Sequence, residues 1–390
     1  MALSAEPAAR RYTVGIVAGE ASGDLLGAQL IRSLRELVPN IVFQGIGGPR
    51  MEAAGMDVWF PLEKLAVRGY AEVLRHFCEI LLIRRQLRQR FLATPPDLFI
   101  GIDAPDFNLD LELALKTRGI PTAHYVSPAI WMWRSERLHK IKRAVTKMLT
   151  VFPFESVIYQ QAGVDVEFVG HPLTDILERI PARAGAREQL KLPPAVTVVT
   201  LLPGSRQSEL RHLADLFIQT AQRINAKMAQ AVFLVPLVSR ETREMFELAL
   251  YNNQASGLPL TVLFGHAHDA LAASNVALVA SGTATLEAAL LGCPMVISYK
   301  MPALSHWILR RKKKSLPYYG LPNILSGEFV VPELIQHDAT AENLSQAMLN
   351  ILGDESVRTG LDRKFTQIRD SLSHGAARRA ARAVLPLLRI

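Results

Sequence analysis

The sequence predicts an α/β fold made of two domains that face each other. Apolar, β-branched runs alternate with amphipathic helical segments along most of the 390 residues, as expected for parallel sheets with helical crossovers. Two stretches, beginning at Thr13 and Thr197, repeat the order of strand, glycine-containing loop and helix. The length fits two or three domains.

The predicted elements of the first half follow from apolar runs bounded by glycine, proline or polar residues. Strands are expected at Thr13 to Ala18, Ile41 to Ile46, Asp97 to Ile102, Thr122 to Val126, Lys147 to Phe152 and Glu167 to Gly170. Helices are expected from Leu25 to about Val38, Tyr70 to Phe91 and Glu155 to Ala162.

The second half repeats the alternation of strand and helix. Besides the strand that begins at Thr197, we expect strands at Val232 to Val235, Leu260 to Phe264, Val276 to Ala280 and Met295 to Tyr299. A polar, proline-containing stretch after His171 and Pro172 is typical of an interdomain hinge. We therefore predict domains at 1–172 and 173–354, with a helical tail at 355–390 that packs across both.

Charge and hydropathy limit the classes of function. The net charge of +8 and the isoelectric point near 9.6 favour an anionic partner such as nucleic acid, a phosphorylated small molecule or anionic lipid. The arginines are scattered and not interleaved with aromatic residues, which argues against nucleic acid. With no signal-peptide pattern and no run of about 18 apolar residues, we expect a cytosolic protein that meets a membrane only from outside.

The stretch TVVTLLPGSRQSE, Thr197 to Glu209, predicts a buried strand that turns through a glycine into a helix. Amide groups at such a turn lack partners within the helix, and the positive end of the helix dipole lies behind them. Gly204 and Ser205 would let an anion approach, and Arg206 adds a guanidinium suited to phosphate. The alternative is an ordinary turn with a surface arginine.

A second turn of this kind follows the strand Val276 to Ala280. Gly282 and Thr283 begin a helix there, and Glu287 lies in its first turns. A carboxylate can accept hydrogen bonds from two neighbouring sugar hydroxyls, while the amides of the turn and Thr283 face a phosphate. Two anion sites and one diol acceptor fit a nucleotide diphosphate sugar.

Two loops of the first half carry candidate chemistry. The loop GEASGD at 19–24 lacks the dinucleotide, P-loop and nucleophile-elbow patterns, so Ser22 is predicted to be a helix cap or a ligand contact. Asp103 directly follows a buried strand, and ligands bind beyond the carboxyl ends of such strands. Asp103 is therefore a candidate proton acceptor, with a purely structural aspartate as the alternative.

The helix predicted from Tyr70 to Phe91 has a broad apolar face and four arginines near its end. Its apolar residues include Val73, Phe77, Leu81 and Leu82. Such a helix can lie on an anionic bilayer surface. It can also be a core helix whose arginines complement its own dipole. His266 and His268 have no third ligand nearby in the sequence, so we expect no metal and no cofactor.

Seven motifs together resemble the lipid A disaccharide synthase family, glycosyltransferases of the GT-B type with two Rossmann-like domains facing across a cleft. They are VAGEASGD at Val17 to Asp24, GIDAPDFN at Gly101 to Asn108, HYVSPAIWMWR at His124 to Arg134, GH at Gly170 and His171, LLPGSR at Leu201 to Arg206, SGTATLE at Ser281 to Glu287 and LPN at Leu321 to Asn323. The resemblance covers nearly the whole chain.

The resemblance implies transfer of 2,3-diacylglucosamine from UDP to the 6-hydroxyl of 2,3-diacylglucosamine 1-phosphate, giving a β-1,6 disaccharide and UDP. It also implies a peripheral enzyme at the cytoplasmic face of a Gram-negative inner membrane, an anionic surface. An α-linked donor and a β product require inversion, hence a base for the acceptor hydroxyl and positive charge for the diphosphate.

On this basis we predict Asp103 as the base, with Glu20 as the second candidate. Arg206 and the two glycine turns would neutralise the leaving group, Glu287 would hold the ribose, and Asn323 would orient the diphosphate or the acceptor. Two other functions remain open at this point. A nucleotide-sugar 2-epimerase shares the fold but has a soluble substrate, and a non-catalytic nucleotide-sugar sensor would bind UDP without turnover.

Overall fold

The computed structural model describes residues 10–65, 70–130, 137–300 and 317–388. The chain forms two compact units. Unit 1 ends at Pro172 and takes up the chain again from Leu372, and unit 2 runs from Leu173 to Ser371. None of the helices in these ranges is long and apolar enough to span a bilayer.

In the described part of unit 1, seven strands form one sheet. They are β1 (Tyr12–Ala18), β2 (Ile41–Gly47), β3 (Met56–Pro61), β4 (Leu98–Ile102), β5 (Thr122–Tyr125), β6 (Lys147–Thr150) and β7 (Val166–Phe168). All neighbouring strands are parallel, in the order β3-β2-β1-β4-β5-β6-β7. The sequence missed β3, since this edge strand is half-exposed and its apolar run is interrupted by Asp57.

Helices cover the sheet of unit 1. They are α1 (Ala21–Leu37), α2 (Pro49–Ala53), α3 (Tyr70–Ala93), α4 (Pro105–Lys116), α5 (Arg137–Ala144) and α6 (Pro153–Gln161). The long helix predicted from Tyr70 to Phe91 is confirmed as α3. Its second half enters the core, because Ile83, Leu87 and Phe91 are buried with residues of β1 and β4.

Unit 2 contains a second parallel sheet. In the described residues its strands are β8 (Val198–Leu202), β9 (Val232–Leu237), β10 (Leu260–Phe264), β11 (Val276–Ala280), β12 (Met295–Tyr299) and β13 (Glu333–Ile335), in the order β10-β9-β8-β11-β12-β13. The sequence missed the three-residue edge strand β13. The four later strands that the sequence predicted, beginning at Val232, Leu260, Val276 and Met295, are all present.

The remaining helices are α7 (Pro172–Leu177), α8 (Arg183–Gln189), α9 (Gln207–Lys227), α10 (Arg240–Asn252), α11 (Ala267–Ala273), α12 (Thr283–Leu290), α13 (Leu321–Ser326), α14 (Ala341–Gly353), α15 (Glu355–Leu372) and α16 (Ala376–Val384). In the tail, nearly all of α15 belongs to unit 2, where Arg369 donates to the carbonyl of Leu290. The next helix, α16, buries Ala380, Ala381 and Val384 in the core of unit 1.

Each sheet has a topological switch point, where the strand order reverses direction. It lies between β1 and β4 in unit 1 and between β8 and β11 in unit 2. In open α/β sheets, ligands bind outside the carboxyl ends of the strands at this point. The loops that follow these four strands are the ones that the sequence analysis selected, at Glu20, Asp103, Arg206 and Gly282.

Candidate functional site

The turn after β8 depends on Gly204 for two reasons. All five residues of β8 are buried, so the chain leaves the sheet abruptly at Pro203. Gly204 has a φ of 124°, which side chains other than glycine rarely adopt. A Cβ at this position would also overlap the carboxylate of Glu209. The glycine thus allows both the turn and a close approach by an acidic side chain.

Glu209 is a residue of this turn that the sequence analysis did not single out. Its Oε2 accepts hydrogen bonds from the amides of Ser205, at 3.0 Å, and Arg206, at 3.2 Å. An acid three residues after the start of a helix is the sequence signal of such a cap. Two amides that we had assigned to an anion are therefore occupied in this structure.

Arg206 remains available beside this cap. Its guanidinium lies 3.7 Å from Glu209 Oε1, and its side chain is 79% exposed. The hydroxyl of Ser205 lies on the same exposed turn. The first amides of α9, at Gln207 and Ser208, precede the first internal bonds of the helix. The turn can thus still offer an anion a guanidinium, a hydroxyl and two amides.

The turn after β11 has a different arrangement. Gly282 has φ 155° and ψ −161°, a conformation that is essentially restricted to glycine. Gly282 at the start of α12 offers no side-chain cap, no other cap is found among the described residues, and Gly282 and Thr283 are exposed. The hydroxyl of Thr285 instead points back to the carbonyl of Gly282, at 2.7 Å. The amides at the start of α12 therefore form the better anion site of the two turns.

Glu287 is held by a residue from a neighbouring helix. His268 Nε2 on α11 lies 3.3 Å from Glu287 Oε2, and both side chains are partly exposed. The hydrogen bond to Glu287 raises the pKa of His268, and the opposing effect of burial is smaller. An imidazolium would fix the orientation of the carboxylate. Sequence reasoning considered His268 only as a metal ligand and missed this contact, which joins two separate helices.

The carboxyl ends of the parallel strands β8, β11 and β12 lie on the same side of the sheet. The amide of Ser281 donates to the carbonyl of Ser298 at 3.1 Å. Burial raises the pKa of Tyr299 at the end of β12, Glu209 raises it further, and Arg206 lowers it. Arg206, Gly282 and Glu287 are therefore brought to one side of unit 2.

Asn323 is fully buried and uses its amide within the protein. Its Oδ1 accepts from the amides of Val330 and Val331, at 2.7 and 2.9 Å, and its Nδ2 donates to the carbonyl of Val331 and to Glu333. The Glu333 carboxylate also accepts from the amides of Tyr319 and Gly320. Asn323 thus holds the segment that reaches α12, where the Leu321 amide bonds Thr285.

In unit 1, Asp103 lies directly after β4 in an unusual backbone conformation. Asp103 and Ala104 have φ values of 51° and 43°, which are uncommon for residues other than glycine and are typical of functional turns. The amide of Asp103 donates to the carbonyl of Tyr125, and its own carbonyl accepts from Asn108 Nδ2 at 2.8 Å. These bonds fix the backbone, and the side chain is half-buried.

Glu20 and Ser22 lie on the adjacent loop, after β1. A Cβ on Gly19 would come 2.7 Å from the Cβ of Ala104, so the two loops are in close contact. Glu20 precedes the first turn of α1, its side chain makes no cap bond, and it is exposed, as is Ser22. The structure thus brings both predicted residues close to the Asp103 loop.

Asp24, the last residue of the VAGEASGD motif, supports the fold. It is almost fully buried, and its carboxylate accepts hydrogen bonds from the amides of Gly48, Arg50 and Met51, at 2.8 to 3.1 Å. These amides belong to the start of α2. The acid therefore caps α2 from α1 and secures the loop after β2.

The outward side of α3 is partly apolar. Leu81 and Leu82 are 37% and 57% exposed, whereas the side chains of Val73 and Phe77 lie outside the described residues. Arg84 pairs with Asp110 at 2.7 Å, and Arg90 lies over the rings of Trp59 and Phe60. Arg85 and Arg88 are exposed. In the part of the chain that the structure covers, no three potential metal ligands converge.

Comparisons with known proteins show which family this chain is similar to. The sequence profile of a family described as lipid-A-disaccharide synthetase matches residues 14–385. A lipid-A-disaccharide synthase of Methylobacillus flagellatus is 54% identical over 377 residues, which cover 97% of this chain and 100% of the relative. These matches confirm the family resemblance found in the motifs.

Solved structures confirm the GT-B type of fold. The glycosyltransferase of kitacinnamycin has a TM-score of 0.64 at 16% identity, covering 97% of this chain and 100% of its own. The UDP-GlcNAc 2-epimerase of Neisseria meningitidis has a TM-score of 0.63 at 12% identity, covering 97% and 99%. The chain belongs to the lipid-A-disaccharide synthetase family, and it is a glycosyltransferase that forms the lipid A disaccharide.

Proposed function

We propose that the enzyme joins UDP-2,3-diacylglucosamine to 2,3-diacylglucosamine 1-phosphate with inversion at the anomeric carbon. In this proposal, unit 2 binds the UDP-sugar donor and unit 1 supplies the base for the acceptor. The observation that carries it is the arrangement at the edge of unit 2, where an uncapped helix start, Arg206 and the paired Glu287 come together. This set matches the phosphates and ribose of a nucleotide diphosphate.

The diphosphate would lie against the start of α12, with Arg206 and Ser205 as side-chain donors. Charge develops on the leaving oxygen as the glycosidic bond breaks, and donors already in place stabilise it without rearrangement. Each such donor is typically worth about 3 to 4 kcal/mol in the barrier. Because Glu209 occupies two amides of the other turn, we assign the larger share to the amides of Thr283 and Ala284.

Glu287 would accept hydrogen bonds from the ribose hydroxyls. Its pairing with His268 restricts the carboxylate to one orientation, which reduces the entropy lost on binding. Asn323 would act indirectly, since its bonds hold the segment next to α12.

Asp103 would take the proton of the acceptor 6-hydroxyl as this oxygen attacks the anomeric carbon. The bond to the diphosphate breaks in the same step, and its electron pair leaves with UDP. The reversed configuration requires no covalent sugar intermediate. Glu20 and Ser22 lie on the loop that touches the Asp103 loop, which suits them to bind the acceptor, and Glu20 remains the alternative base.

The decisive experiment is incubation with UDP-diacylglucosamine and the monophosphate acceptor, followed by mass analysis. We expect a disaccharide monophosphate and UDP. Asp103→Asn should reduce turnover by about 10² to 10⁴, the range for general bases, while UDP affinity stays unchanged. A variant with normal turnover would remove Asp103 as the base, and UDP binding without product would indicate a nucleotide-sugar sensor.

We further propose that the enzyme binds the cytoplasmic face of the inner membrane through the outward side of α3. Leu81 and Leu82 supply exposed apolar surface, and Arg85 and Arg88 supply charge for anionic lipid. Replacing both leucines with serine should release the protein from vesicles that contain anionic lipid. Val157→Ser, at an equally exposed apolar site on α6, is the control, and unchanged vesicle binding by the double variant would exclude this surface.

A further inference from the structure

A buried polar cluster lies beneath the Asp103 loop. It consists of Asn108 and Glu112 on α4 and His124 on β5, all with no exposed surface. His124 Nδ1 lies 2.7 Å from Glu112 Oε1. Among the described residues, Asn108 Oδ1, Glu112 Oε2 and His124 Nε2 have no hydrogen-bond partner. Such groups are costly to bury, and apolar residues of similar size would pack without that cost.

A glycine on β4 leaves space for the side chains of this cluster. Gly101 on β4 pairs in register with His124 on β5. A Cβ on Gly101 would overlap the Oε1 of Glu112 and approach the Cβ of Asn108. Gly101, the first residue of the GIDAPDFN motif and two residues before Asp103, therefore makes room for the carboxylate of Glu112.

Hydrogen bonds connect the cluster to the backbone of Asp103. Asn108 Nδ2 donates to the Asp103 carbonyl at 2.8 Å, and more weakly to the carbonyls of Ile102 and Val17. The amide of Asp103 donates to Tyr125, the residue after His124. The backbone of Asp103 is thus held on one side by α4 and on the other by β5.

The cluster is also coupled to Asp103 by charge. Burial lowers the pKa of His124, but the Glu112 carboxylate and its hydrogen bond more than offset this effect, and the charge of Asp103 contributes in the same direction. The net pKa of His124 lies above its ordinary value. The charged groups that act on His124 are therefore Glu112 from α4 and Asp103 from the loop after β4.

We propose that Glu112 and His124 form a buried ion pair that, together with Asn108, holds the backbone of Asp103 in the position that proton transfer requires. They are positioning residues, because they act through Asp103. This inference rests on the proposed role of Asp103 as the base.

The test uses Glu112→Gln, His124→Gln and the double variant, each in the full chain. Loss of the Glu112 charge removes the buried ion pair between α4 and β5, the two elements that hold the backbone of Asp103. We expect kcat to fall about 10- to 100-fold and the KM of both substrates to stay within about threefold. Tyr159→Phe removes a buried bond to Ser127, which follows β5, and should leave both kcat and KM unchanged.

The double variant separates positioning from folding. His124→Gln alone leaves the buried Glu112 charge unpaired and should lower the melting temperature, and the double variant should recover much of that stability. If the pair positions Asp103, kcat stays low in the recovered protein while the KM of both substrates stays unchanged. Recovery of kcat together with stability would show a purely structural pair and overturn the inference. Asp103→Asn in parallel distinguishes the two proposals, since full activity of that variant refutes the base itself.

Discussion

Replacing Arg206 with alanine tests the proposed donor site most directly. The side chain is 79% exposed, and its 3.7 Å contact with Glu209 is an exposed ion pair. Such pairs contribute at most about 1 kcal/mol to stability. The fold should therefore tolerate the change, and the melting temperature should stay close to that of the unmodified protein.

Binding should respond much more strongly than stability. A hydrogen bond to a charged group is worth about 1.5 to 3 kcal/mol, so losing the guanidinium should weaken UDP binding by about 10- to 150-fold. The carboxylate of Glu209 would then face the diphosphate without a neighbouring cation. We therefore expect the loss of UDP affinity to lie toward the upper end of this range. Isothermal titration with UDP measures this directly, and the loss should shrink as salt is raised.

Arg211→Ala provides the matched control. Arg211 is exposed and lies on α9 one turn after the predicted contact, so its loss changes the net charge by the same amount. Long-range attraction of UDP by net charge would affect both variants equally. If Arg206→Ala binds UDP as tightly as Arg211→Ala, the anion site is not at this turn.

Three further predictions concern Glu287, His268 and Asp24. Glu287→Gln should reduce the preference for UDP over 2′-deoxy-UDP, measured by titration, because the carboxylate is expected to accept from the ribose hydroxyls. The raised pKa of His268 means that its pairing with Glu287 stabilises the fold fully below about pH 6.5 and is lost as pH rises through the raised value. The melting-temperature difference between the protein and His268→Gln should therefore be largest at acid pH, and a pH-independent difference would contradict this. Asp24→Asn should lower the free energy of unfolding in urea by about 1 to 3 kcal/mol, while exposed Glu36→Gln should change it little.

The sheets could be predicted because of where their strands lie. Central parallel strands such as β8 and β11 are buried on both faces, so their sequences are continuous apolar runs. The edge strands β3 and β13 are half-exposed and carry no such run. The order of the strands depends on tertiary pairing, which no local pattern contains.

The parts of the candidate site that depend on residues close together in the sequence could be predicted. Glycine turns that lead into helices mark their position in the sequence, and this indicated the loops at Gly204 and Gly282. Asp103 was selected because it directly follows a buried apolar strand. Glu209 could have been found from its spacing to the helix start. The contacts of His268 with Glu287 and of Asn108 with Asp103 depend on how helices pack on strands, so sequence spacing did not indicate them.

The two helix starts at the switch point of unit 2 differ in a way that assigns them separate tasks. The start of α9 already has a carboxylate on its amides, so its loop keeps one shape without a ligand. The start of α12 has no side-chain cap from the residues that the structure describes, and none of these residues places an acid on its amides. A single capped turn would bind phosphate weakly, because Glu209 repels it. With Arg206 held on this turn and the amides of α12 beside it, the diphosphate would in our proposal be bound by both, while Glu287 would accept the sugar hydroxyls.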